Sequence, residues 1–192
     1  MKRSLVGLSL VLLVVGLSTL AGPVSRRAQR AWAHHAAAAA WDENLVFSLE
    51  PSIDDPVARI TIPAVGLDTW VLGGATRDHL HSFPCREQVG RSTLIMAHRD
   101  TDFRPLERLA AGHDIEMQRH DGSRRRYRVL EVLVVEAGQA EELIREQQHS
   151  QRLLLLTCYP FRYLGPAPER FLALAAPLGG VDGAEAQIIH RP

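Results

Sequence analysis

The chain has 192 residues, 46% of them hydrophobic, which suffices to bury one core with a short appendage. Its 22 basic and 22 acidic side chains cancel overall but not locally: Lys2, Arg3, Arg26, Arg27 and Arg30 all precede the first acid, Asp42, and the remaining 17 basic residues face 22 acidic ones, a balance of −5. That excludes the basic footprint of a nucleic-acid-binding domain, and two cysteines without ligand spacing exclude a zinc signature or a disulfide framework.

In chain order, the first element is an uncharged apolar stretch, residues 5–22, whose 18 residues just suffice to cross a membrane as a helix. Pro23 ends it. Its length exceeds the usual apolar region of a signal peptide and favours an uncleaved anchor over residues 1–23. Small residues before Gly22 and His34 leave a cleaved secretory signal as the alternative. Two cations precede the segment and three follow it, so the positive-inside count does not set its direction. Residues 24–41 are alanine-rich, with Trp32 and Trp41 suited to an interfacial helix or a plain spacer. Residues 24–55 thus form a juxtamembrane helix and a polar linker, and residues 56–192 form the folded domain.

From Pro56 the signals are mostly those of strands. Ile60 and Ile62 alternate with Arg59 and Thr61 before Pro63, and GLDTWVLGG offers a second short strand. The stretch HSFPCREQVGRS around Cys85 reads as a loop. STLIMAH reads as a buried strand, and RPLERLAAG as a short helix with Leu106 and Leu109 three apart and Gly112 as its stop. Asp121-Gly122, between Ile115/Met117 and Tyr127/Val129, is a type I′ hairpin signal. AEELIREQQ reads as a second helix, QRLLLLTC as a buried strand, and FLALAAPL as the last strand. Many short strands with two small helices predict a mainly β barrel or sandwich.

Cys158 closes the leucine run and is followed by Tyr159-Pro160. A cysteine there is either a small core residue or a nucleophile displayed at a strand end. A thiolate nucleophile needs a basic or cationic neighbour and some exposure. His98 ends STLIMA as Cys158 ends LLLLT, and Arg170 opens the next strand, where its guanidinium could hold an oxyanion. Asp100 and Asp102 follow His98 in a stretch of turn composition, where Asp serves local backbone bonding, and two carboxylates make no calcium site. No metal or cofactor is expected.

LLTCYPF with Thr157 before Cys158, AHRDTDFRPL around His98, and APERFLALA around Arg170 resemble the signature segments of the sortases, cysteine transpeptidases that attach proteins to surface components. VARITIPAVGLDTWVLGGAT is similar to that family's first strands, and CYPF and HRDT look most like its proteobacterial type. The resemblance runs from about residue 55 to residue 178. It implies an eight-stranded sortase-type β-barrel with short helices, in which Cys158 is the nucleophile, His98 the acid or base, Arg170 the oxyanion stabiliser and Thr157 a substrate contact. It also implies partners: a protein carrying a C-terminal LPXTG-like sorting signal, and an amine acceptor, peptidoglycan-type or protein. The expected location is the inner membrane, single-pass, with the catalytic domain periplasmic. Two positions depart from the family's usual wording: Leu154 stands where Thr is usual, and Ala97 where Gly is common before the histidine. Lys2 is the only lysine, so the acceptor amine comes from another molecule. The rival readings are another kind of exported cysteine peptidase, an L,D-transpeptidase, whose Cys-x-Arg surroundings are absent, and a non-catalytic membrane-anchored β-barrel binding module.

Overall fold

The computed structural model describes residue 25, residues 28–41 and residues 56–179. Residues 28–41 are helical, while the expected anchor over 1–23 and linker over 42–55 lie outside the described residues. Among the described residues no helix is long and apolar enough to cross a membrane.

Eight strands close into a barrel. They are β1 (Pro56–Ile62), β2 (Leu67–Gly73), β3 (Cys85–Val89), β4 (Ser92–Met96), β5 (Asp114–Arg119), β6 (Arg124–Glu136), β7 (Leu153–Tyr159) and β8 (Glu169–Leu178). Around the barrel they run β1-β2-β3-β4-β7-β8-β6-β5, and β5 pairs with β1 to complete the ring. Two short helices accompany them, α1 (Arg77–Ser82) and α2 (Ala137–Glu146). Closure removes the exposed sheet edges that a stack of short strands would otherwise leave.

The period-two pattern fills the interior. Ala58, Ile60 and Ile62 of β1, Ile115 and Met117 of β5, Tyr127 and Val129 of β6, and Ala173 and Ala175 of β8 share one core cluster. β6 is long enough to need a bend. Its register against β8 shifts between Val129 and Glu131, leaving Leu130 as the extra residue of a bulge, so the inward phase moves from Val129 to Val132.

The four-leucine run has a two-sided explanation. Leu153 and Leu155 point into the barrel, whereas Leu154 and Leu156 belong to a second cluster on its outer face with Leu94, Leu172, Leu174 and Ile144. Ile144 comes from α2, which covers that face and is started by a reciprocal cap between Glu136 and Gln139. A strand buried on both sides reads as an unbroken apolar run. Truncating the fully buried Leu155 to alanine is expected to cost about 2–5 kcal/mol, a large part of a domain's stability.

Four details differ from the sequence reading. The expected loop around Cys85 contains strand β3, which pairs with β2 over only two residue pairs and with β4 over five; its polar sequence, CREQV, hides it from any hydrophobic pattern. RPLERLAAG forms a 3-10 turn over Arg104–Arg108 and is already extended at Leu109, because a three-residue spacing of leucines suits the 3-10 period as well as the α period. The hairpin at Asp121-Gly122 forms, but Gly122 alone adopts positive φ, at 78°, so the turn is not type I′, which needs both central residues there. Gly122 N–H donates to Arg119 O at 3.0 Å and Ser123 N–H to the Asp121 carboxylate at 2.8 Å, an Asx-stabilised turn. Helix α1, capped by the Thr76 hydroxyl, is the fourth, with no sequence expectation behind it.

Candidate active site

Three adjacent strands, β4, β7 and β8, place the site. β4 and β7 run parallel, from Thr93 opposite Leu153 to Met96 opposite Leu156, and β7 pairs antiparallel with β8, with Leu156 opposite Leu172 and Cys158 opposite Arg170. Directly opposed residues share a face. The outer surface of this sector is therefore built in rows: Leu94, Leu154 and Leu174, then Met96, Leu156 and Leu172, and one step further the residues that carry chemistry. Ala97 N–H donates to Leu156 O at 3.3 Å, which carries the β4 backbone on and brings His98 level with Cys158. The third row thus reads His98, Cys158, Arg170. Cβ atoms of directly opposed antiparallel residues lie about 4.5–5.5 Å apart, so the side chains of Cys158 and Arg170 start as neighbours on one face.

Exposure suits that arrangement. Cys158 and Arg170 are half-buried and His98 is exposed, whereas the leucine row at the base is buried. Cys158 is a free thiol, and so is Cys85, so the two are not bridged. Pro160 lacks the N–H a ladder needs, and β7 ends at Tyr159, just past the thiol.

Thr157 has a different place from the expected substrate contact. It is only 3% exposed, and its hydroxyl donates to Ala97 O at 2.7 Å. That bond ties the residue before Cys158 to the residue before His98.

Arg170 is held by its own loop: Nη1 donates to Ala167 O at 3.2 Å and to Glu169 O at 2.9 Å. A guanidinium carries five N–H donors in a planar fork, so these two bonds engage only Nη1 of the group. The Asp102 carboxylate accepts from the Thr69 hydroxyl at 3.2 Å, on β2. Asp100 is exposed in the turn after His98. Among the described residues no group of His, Cys, Asp and Glu could hold a metal ion.

Two residues near His98 escaped the sequence reading. The His81 ring, from α1, lies 5.9 Å from the His98 ring between centroids, tilted by 42°. Arg99 reaches the β7–β8 connection, where its Nη2 donates to Tyr163 O at 2.9 Å and to Gly165 O at 3.0 Å. Both sit beside His98 in space but carry no signal in sequence, since His81 falls on an unexpected helix and Arg99 reads as one more solvated charge in a turn.

A family model described as the sortase domain matches residues 60–178, more than half of the chain and all of the site. The chain belongs to the sortase family. Sortases are generally cysteine transpeptidases, and the eight-stranded closed barrel is their fold. A curated relative, Sortase D of Bacillus subtilis (strain 168), is 26% identical over 134 residues, which span 65% of this chain and 65% of that protein. Among solved structures, a Clostridium perfringens Sortase D5 transpeptidase superposes with a TM-score of 0.61 at 18% identity, covering 78% of this chain and 98% of its own. Sortase A from Corynebacterium diphtheriae gives 0.56 at 20% identity, covering 68% and 63% respectively.

Proposed function

We propose that the chain is a transpeptidase that cleaves an LPXTG-like sorting signal through a thioester on Cys158 and passes the acyl group to an amine. The observation that carries this reading is the third row of the β4–β7–β8 sector, where a half-exposed thiol stands between an imidazole-bearing strand end and a guanidinium.

The steps follow from that row. The Cys158 thiolate adds to the carbonyl carbon of the scissile peptide, and Arg170 stabilises the oxyanion that forms. Imidazolium at His98 gives its proton to the departing amine as the C–N bond breaks, leaving an acyl thioester and neutral His98. An incoming amine adds to the thioester carbonyl, His98 takes its proton, and the C–S bond breaks to release the new amide and the Cys158 thiolate. Water in place of the amine gives hydrolysis as a side reaction. Thr157 holds the two strand ends in register during both halves.

The apolar row beneath supports the signal class. Met96 and Leu156, with Leu133 of β6 and Leu143 of α2, are only partly buried around the outer cluster. Their remaining apolar surface, one row from the thiol, suits the leucine of such a signal. The wording CYPF and HRDT supports a place near the proteobacterial type, the 18-residue uncharged stretch supports a single-pass inner-membrane anchor, and the periplasmic side for the domain is what the family resemblance implies. Fractionation tests the second point: the chain is expected in the inner membrane, digested by protease only after the outer membrane is opened. Digestion only after the inner membrane is lysed would contradict it.

The catalytic reading is tested by incubating the full-length chain with an LPXTG-type peptide library and an oligoglycine or diaminopimelate amine. A ligated product detected by mass spectrometry, absent with Cys158→Ala, is the expected result. No product and no hydrolysis from any peptide, with the barrel folded, would favour the binding-module reading.

A further inference from the structure

The nine residues 160–168 that connect β7 to β8 include Pro160, Pro166 and Pro168, which offer no N–H, and Gly165 at φ 93°, a conformation side chains rarely adopt. Such a segment must be held from outside. Its start is fixed by Phe161, buried in the barrel core, and by Arg162, which pairs with Glu107 at 3.3 Å; two further guanidiniums hold the rest. Arg99, adjacent to His98, donates through Nη2 to the carbonyls of Tyr163 and Gly165 and lies 5.8 Å over the Tyr163 ring, within cation–π range. Arg170, opposite Cys158, donates through Nη1 to the carbonyl of Ala167, in the same segment. The segment is thus fixed at its middle by one side of the site and at its end grips the other side. At its tip Leu164 is 98% exposed, so the connection is not anchored by burial of that side chain.

We propose that Arg99 is a positioning residue for acyl transfer: by clamping the Tyr163 and Gly165 carbonyls it sets the connection so that Ala167 O holds Arg170 in its oxyanion-stabilising orientation. A lysine at 99 presents a point charge able to meet one carbonyl but without the planar fork that meets two. Arg99 works through Arg170 and touches neither the thiol nor the scissile bond. The proposal rests on the transfer reading for its catalytic half only; the clamp itself is a statement about the connection.

The test uses five forms of the full-length chain: wild type, Arg99→Ala, Arg99→Lys, Arg170→Ala and the Arg99→Ala/Arg170→Ala pair. Hydrogen exchange at residues 161–165 reads the clamp without any substrate, and Cys85 remaining unreactive to a thiol reagent shows that the barrel is intact. Arg99→Ala is expected to speed exchange there and to lower kcat for acylation about tenfold with KM changed less than threefold, the scale of losing hydrogen bonds made by a charged group. Arg99→Lys should recover part of both. In the Arg170→Ala background, Arg99→Ala should cost less than about twofold, because residues acting through one another are not additive.

Unchanged exchange at 161–165 would overturn the clamp. Faster exchange with unchanged kcat, or a full tenfold loss on top of Arg170→Ala, would overturn the positioning role. A wild-type chain that transfers nothing sinks the transfer reading and the catalytic half with it, and the exchange measurement then decides the clamp alone.

Discussion

Cys85 and Cys158 share a barrel, a redox state and a proline within two residues, yet their surroundings differ sharply. Cys85 opens β3 opposite Met96, in the row beneath the site, with none of its surface exposed and its thiol lying 3.6 Å from the Phe83 carbonyl. Burial, and then the charges of Glu87 and Asp102, push that thiol up to about 11, so it is overwhelmingly neutral and unreactive near pH 7. Cys158 lies one row further along the sheet, at the strand margin, half-exposed and flanked by His98 and Arg170. One step along a β-sheet separates a core thiol from a candidate nucleophile, and the margin makes the difference.

The sharpest way to break this comparison is to remove each thiol in turn. Cys158→Ala should abolish acyl transfer, a loss of more than about a thousandfold, while Cys85→Ala should leave the rate within about threefold. Transfer assays on the two variants check this, and equal losses would erase the distinction. Next in size, Arg170→Ala should lower kcat by about 100- to 1000-fold, as for loss of an oxyanion donor, with the iodoacetamide rate at Cys158 changed far less.

Thr157→Val sharpens the placement of the thiol. It keeps the β-branched shape but removes the 2.7 Å bond to Ala97 O, leaving a buried carbonyl unpaired at a cost of about 1–3 kcal/mol. Denaturant melts should show that loss, and kcat should fall about tenfold as His98 and Cys158 lose their common register. The smallest expected effect is on stability against pH. The Cys85 thiol, ordinarily at 9.0, is raised to about 11 in the fold, so the native state favours its neutral form. That contribution is complete below pH 9 and is lost as pH rises toward 11, beyond which the thiolate is strained in the core. Unfolding midpoints of wild type should therefore decline more steeply over that window than those of Cys85→Ala; parallel curves would contradict the burial argument.

Much of the arrangement was legible in the sequence because it rests on period and position. Inward alternation of Ile60 and Ile62, the leucine run of β7 and the place of Cys158 near the end of β7 all follow from the pleat, whereas His98 falls two residues past the end of β4. β3 was not legible, since CREQV carries no apolar alternation and is recruited by β4 through the backbone. Nor was the inward role of Thr157: the sequence shows a hydroxyl beside the cysteine, and only the parallel pairing of β7 with β4 reveals that Ala97 O lies within its reach. Arg99 depends on a contact with Tyr163 and Gly165 far along the chain, which spacing cannot disclose.

The central claim is that the outer row at the β7 margin, and not the buried thiol beneath it, takes up the acyl group. Incubating the full-length wild-type chain with an LPXTG-type peptide, without amine, and mapping the thioester by peptide fragmentation tests it directly. A single acyl adduct on Cys158, with Cys85 unmodified, is the predicted result; an adduct on Cys85, or none on a folded chain with every peptide tried, would contradict it.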